Sequence, residues 1–77
     1  MPNDKLKPGD KVAFTAVPPG FLDDLPEEDQ VAINAAIGKP VLYNELDEHG
    51  RAELEFRDSK GIIHFIWLDP ALICIAD

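Results

Sequence analysis

The sequence predicts one small, mainly β domain with a short α-helix set into its first long loop, and three observations carry that prediction. Residues 51–57 alternate strictly, with apolar Ala52, Leu54 and Phe56 between charged Arg51, Glu53, Glu55 and Arg57, the pattern of a strand with one wet face. Two segments of the same form, Asp47-Glu48-His49-Gly50 and Asp58-Ser59-Lys60-Gly61, bracket that strand and read as tight hairpin connections. The stretch from Phe21 to Lys39 breaks the two-residue period and carries the start and stop signals of a helix. A chain of 77 residues holds a single core, and its 45% hydrophobic content, with four Phe, one Trp and one Tyr, is enough to build one.

Taken in order, residues 1–9 form a loose polar lead-in with Pro2, Pro8 and Gly9, and the domain spans residues 10–77. From Lys11 to Val17, Val12, Phe14 and Ala16 alternate with Lys11, Ala13 and Thr15, which predicts a first strand ended by Pro18, Pro19 and Gly20. Pro26 suits a first helical turn, Glu27, Glu28 and Asp29 favour the positive end of the helix dipole, and Gly38 suits a left-handed C-terminal position. A helix from Pro26 to Ile37 follows, with Ile33 and Ile37 facing the sheet and Asn34 facing water.

Val41 to Leu46 reads as a second strand, so the two turns and the alternating segment complete a three-stranded meander that ends in Ile62 to Leu68. This last strand is apolar on both faces apart from His64, which predicts that both faces are covered. Asp69, Pro70 and Ala71 suit one helical turn before a final short strand, Leu72 to Ile75, in which Cys74 is expected to be buried and inert.

Strand, long loop, meander, helical turn and final short strand is an order similar to that of the SH3-like barrels, over about Asp10 to Ile75. The run Pro8-Gly9-Asp10-Lys11-Val12 resembles the first strand of bacterial SH3-like domains, including those attached to larger enzymes such as the nitrile hydratase β subunit. The resemblance implies an SH3-like five-stranded barrel with the helix inserted in the first long loop. Peptide-binding SH3 domains carry an Ala-Leu-Tyr-Asp-Tyr segment and paired tryptophans where this chain reads Ala13-Phe14-Thr15-Ala16-Val17 and Arg51-Ala52-Glu53, so their proline-peptide groove does not carry over.

Fifteen acidic against seven basic residues give a formal net charge of −8, which repels phosphate backbones and anionic lipid and favours cationic partners. The lone Cys74 cannot form an internal disulfide, and no apolar run approaches the ~18 residues of a membrane span. A soluble cytoplasmic protein that binds neither nucleic acid nor membrane is expected.

No nucleophile shares a motif with His49, in a hairpin turn, or with His64, in a strand, so no catalytic residue is assigned and the chain is read as a non-enzyme. Asp23, Asp24, Glu27, Glu28 and Asp29 place five carboxylates in seven positions without the spacing of a calcium loop, so no metal or cofactor is assigned. Trp67, Tyr43 and Phe21 are the aromatic residues able to anchor a contact if exposed. The expected function is a protein-binding module for a basic partner, acting through Asp23, Asp24, Glu27, Glu28, Glu53, Glu55 and Trp67. An accessory subunit of a larger enzyme complex is the alternative, and a Ca²⁺-binding protein a more distant one.

Overall fold

The computed structural model describes residues 6–76. Five strands, β1 (Lys11–Phe14), β2 (Val41–Leu46), β3 (Ala52–Arg57), β4 (Ile63–Leu68) and β5 (Ile73–Ile75), form one antiparallel sheet in the order β4-β3-β2-β1-β5. One helix, α1 (Glu27–Ala36), lies in the long connection between β1 and β2, and a single 3₁₀ turn, Pro70–Leu72, joins β4 to β5. β4 and β5 are the two edges, and the sheet is not closed into a barrel.

Alternation places the core. Val12 and Phe14 of β1, Val41 and Tyr43 of β2, Ala52, Leu54 and Phe56 of β3, Ile66 and Leu68 of β4 and Ile73 of β5 meet Ala32, Ile33 and Ala36 of α1 in one buried cluster. The α1 residues sit at helical spacings of one, three and four, so one narrow stripe faces the sheet while Val31 and Asn34 face water. Phe21, Leu22 and Leu25, ahead of the helix, close over the same cluster. At the other end the backbone N–H of Gly38 donates to Phe14 O at 2.9 Å and ties the helix exit to β1.

The two hairpin turns repeat one local chemistry. In each, the Gly N–H donates to the Asp carbonyl at 3.0 Å, and the glycine sits at φ 78° (Gly50) or 81° (Gly61), a left-handed backbone that disfavours a Cβ. Asp47 Oδ1 accepts from the N–H of His49 (2.9 Å) and Arg51 (2.8 Å), and Asp58 Oδ1 accepts from Lys60 (2.8 Å) and Ile62 (3.0 Å). A side-chain acceptor at the turn's first position supplies the bonds that backbone geometry leaves open there.

Several expectations need correction. β1 ends at Phe14, and Ala16 is exposed, because Pro18 and Pro19 take the chain off the sheet toward the helix. The helix stops at Ala36, so Ile37 is a half-buried C-cap residue and only Ile33 is fully buried. The outer face of β4 is not covered: Ile63, Phe65 and Trp67 are 41%, 49% and 40% exposed. Cys74 is exposed, since its β5 neighbour Ile73 takes the inward position and Cys74 turns outward opposite Ala13, with Sγ 3.7 Å from the Ala13 carbonyl.

The lead-in is tied down where it is described. Leu6 packs against the core, Lys7 N–H donates to Asp10 Oδ2 at 2.9 Å, and Gly9 N–H donates to Tyr43 O at 2.8 Å. Residues 1–5, and with them Pro2, lie outside the described residues.

Candidate interaction face and the His64 clamp

The outer face of the β2–β3–β4 meander combines an apolar row with an acidic one. Register pairs Trp67 with Glu53, Phe65 with Glu55 and Ile63 with Arg57, so the β4 side chains stand directly beside the charged side chains of β3. Glu53 and Glu55, two apart on one face, would repel each other if left alone. Asn44 follows inward-facing Tyr43 and so stands on that face, at the register shift between Tyr43 and Glu45, and its amide donates to Glu53 Oε2 at 2.8 Å and Glu55 Oε1 at 3.2 Å. One neutral donor thereby holds two half-buried carboxylates in a fixed row next to two exposed aromatic rings. This is a surface suited to an apolar group carrying a cation.

Glu53, Glu55 and Trp67, which the sequence singles out, share this face with Ile63, Phe65 and Asn44, which it does not. Ile63 and Phe65 lie in a run that reads as covered on both faces, and the contacts of Asn44 with Glu53 and Glu55 form only between paired strands, which the sequence does not display. Of the other aromatic residues, Tyr43 is 4% exposed and belongs to the core, and burial, with Glu45 and Asp10 nearby, pushes its hydroxyl pKa up. Phe21 is half-buried against the core.

The remaining acidic positions lie elsewhere. Leu54 points into the core that α1 covers, so Glu53 and Glu55 point away from the helix, whereas Asp23, Asp24, Glu27 and Glu28 belong to the helix and its approach. The seven positions therefore fall into two groups on opposite faces of the sheet. Asp23, Asp24, Glu27 and Glu28 are all exposed.

Asp29, the last residue of that acidic run, has a separate role. His64 points inward from β4 and lies between two carboxylates, with Nε2 2.8 Å from Asp58 Oδ2 and Nδ1 3.2 Å from Asp29 Oδ1. Its ring stacks on Phe56 with centroids 5.6 Å apart and planes 19° apart. A carboxylate only accepts, so a ring nitrogen that carries a proton donates to the carboxylate it faces, Nε2 to Asp58 and Nδ1 to Asp29. The result is a clamp between α1, β4 and the β3–β4 turn. The hydrogen bond from His64 is the main reason that the Asp58 carboxyl is held below the usual carboxylate pKa, with the Ile62 and Lys60 N–H groups adding to it against some desolvation.

The equivalent second oxygen of Asp47 meets a different partner, the guanidinium of Arg51, with Nε and Nη2 both at 3.0 Å. Desolvation opposes ionisation there, but the backbone N–H groups of Arg51 and His49 and the Arg51 charge outweigh it and lower the Asp47 pKa. His49 itself is exposed, 3.6 Å from Glu48.

Beyond the free edge of β4 an open groove runs between that strand and the Phe21–Ile33 segment, bounded by Phe21, Leu25, Asp29 and Ile33 on one side and Ile63 to Trp67 on the other. A second groove, between α1 and the β3–β4 turn, is lined by apolar Val31, Ala35, Pro40 and Ile62 together with charges of both signs, Glu27, Glu28 and Asp58 beside Lys39, Arg57 and Lys60. Among the described residues no group of three or more His, Cys, Asp or Glu is arranged to hold a metal ion, and no helix is long and apolar enough to cross a membrane. Comparison of the chain with protein-family models, curated proteins and solved structures gives no match.

Proposed function

We propose that this chain is a non-catalytic, SH3-like binding module that docks a basic protein partner on the outer face of its β2–β3–β4 meander. The SH3-like reading is supported by the strand order β4-β3-β2-β1-β5 and by the 3₁₀ turn between the last two strands. The non-catalytic reading is supported by His64, whose two ring nitrogens both face carboxylates that fix the helix to the sheet.

The observation that carries the proposal is the pairing of exposed Phe65 and Trp67 with Glu55 and Glu53, the carboxylates held by Asn44. Aromatic rings anchor the apolar part of a contact, and carboxylates beside them select a cation and speed its approach. The chain's formal net charge of −8 acts in the same direction over longer range.

Trp67 is the single Trp, so its fluorescence reports on this face alone. Titration with a lysine-rich peptide is expected to give a saturable change at low salt that weakens at moderate salt and is lost in the Glu53→Gln/Glu55→Gln variant. A salt-independent response, or one that survives the double substitution, refutes the proposal.

A further inference from the structure

The free edge of β4 differs from ordinary sheet edges. Natural edges are blunted by charge, proline, bulges or brevity. β5, at the opposite edge, has three residues, whereas β4 has six, Ile63-His64-Phe65-Ile66-Trp67-Leu68, with no Lys, Arg, Asp, Glu, Pro or Gly among them. Its ladder to β3 runs without a register shift over all six residues.

The turn fixes which backbone groups point outward. Asp58 N–H donates to Ile62 O at 3.0 Å, which makes that pair a hydrogen-bonded one. Bonded and non-bonded pairs alternate along an antiparallel ladder. His64, Ile66 and Leu68 therefore bond to β3, and Ile63, Phe65 and Trp67 direct their N–H and C=O groups away from the sheet. The same three residues carry the exposed side chains of the outer face.

We propose that this edge receives an extended segment of the partner as a sixth, antiparallel strand in which basic and apolar residues alternate. The inference rests on the basic-partner reading above for the sign of the guest's charge, and it adds the mode of recognition. Guest residues opposite Ile63, Phe65 and Trp67 share the outer face with those side chains. Lys or Arg at these places lies over the rings and about 10 Å, two strand spacings, from Glu53 and Glu55, within reach of a long side chain. The intervening guest residues point to the core side, into the groove bounded by Phe21, Leu25 and Ile33, where apolar groups fit. Arg51, the cation lining that groove, is held by Asp47. A second copy of this chain is a poor occupant, because each copy has a formal charge of −8.

The test uses isotope-labelled full-length protein and the peptide acetyl-Lys-Val-Lys-Val-Lys-Val-Lys-amide, followed by amide exchange and chemical shifts. The amides of Ile63, Phe65 and Trp67 should exchange fast in the free protein and become protected on saturation, while those of His64 and Ile66 are protected throughout. A peptide N-methylated on its lysine amides keeps its charge and side chains but loses its donors, and should bind at least about tenfold more weakly. Equal binding of the two peptides, with Trp67 still perturbed, overturns strand addition and leaves the charged-face reading standing. Failure of both peptides to bind at low salt overturns both readings. Protection of the three amides that rises with protein concentration, without peptide, assigns the edge to a second copy and overturns the proposal.

Discussion

Ile33→Ala tests whether the helix is part of the fold's single cooperative unit. Ile33 is 2% exposed, packed between α1 and the sheet. The substitution removes three carbons, worth about 2.4 kcal/mol at ~0.8 kcal/mol each. A residual void of about 50 Å³ adds about 1.2 kcal/mol at ~24 cal/mol per Å³. The expected loss is thus about 3.5 kcal/mol, against a total for a small domain near the lower end of ~5–15 kcal/mol. At ~4–8 °C per kcal/mol, the melting midpoint should drop by about 14–28 °C. Thermal and denaturant melts followed in parallel by helical circular dichroism and Trp67 fluorescence provide the readout, with Val31→Ala, at a site 63% exposed, as a control expected within about 0.5 kcal/mol of the parent. An Ile33→Ala midpoint within about 5 °C of the parent refutes the packing argument. Loss of helical signal well before the fluorescence transition shows instead that α1 detaches on its own.

Ile37→Ala should cost roughly half as much as Ile33→Ala, because Ile37 is only half-buried at the helix terminus; equal midpoint shifts in urea would contradict this. Asp58→Asn tests the clamp through pH: the Asp58 pKa is lowered, so its contribution is complete above the ordinary value of about 3.9 and is lost as pH falls through the lowered one. The variant should therefore melt lower at pH 7 yet lose less stability between about pH 4 and pH 2, and parallel curves would remove the clamp. Asn44→Asp should destabilise more than Asn44→Ala at low salt, since it adds a third carboxylate to Glu53 and Glu55, and the gap should shrink as salt screens it, as melts at two ionic strengths will show. Cys74, being exposed, should be labelled by a thiol reagent in the native state, with one equivalent consumed before any denaturant is added.

The meander was legible because its signals are local. An Asp that caps its own turn, a Gly that takes the left-handed backbone and a strict two-residue alternation act within a few residues, and the turns at Asp47 and Asp58 and the strand between them formed accordingly. The helix was legible for the same reason, to within one residue at each end. The outward place of Cys74 is not legible, because Leu72-Ile73-Cys74-Ile75 is apolar throughout and only the β1 register, Ala13 opposite Cys74 and Phe14 opposite Ile73, decides which residue points in. His64 gave no sign of its clamp, since Asp29 and Asp58 belong to different elements and meet only in the fold.

The uncovered outer side of β4 and the candidate interaction face have one cause. An apolar run on both faces of a strand predicts covering, and the run 62–68 has that pattern, yet β4 ends up at an edge with one face in water. Among the described residues, core burial does not account for Ile63, Phe65 and Trp67, because none of them belongs to the buried cluster or packs against it. Scattered exposed apolar residues need no explanation, but three in register on one strand, beside two carboxylates held by Asn44 and with their backbone groups on the free edge, form a continuous surface. A lone Trp67→Lys substitution separates the two accounts. If the row is merely tolerated exposure, a lysine there costs only the packing of the ring's covered part and leaves peptide binding unchanged. If the row is a docking surface, the same change leaves the fold intact and abolishes binding of the lysine-rich peptide, because it places a cation beside Glu53 where the guest's cation belongs. An intact fold with undiminished peptide binding would leave the apolar row without a role in recognition.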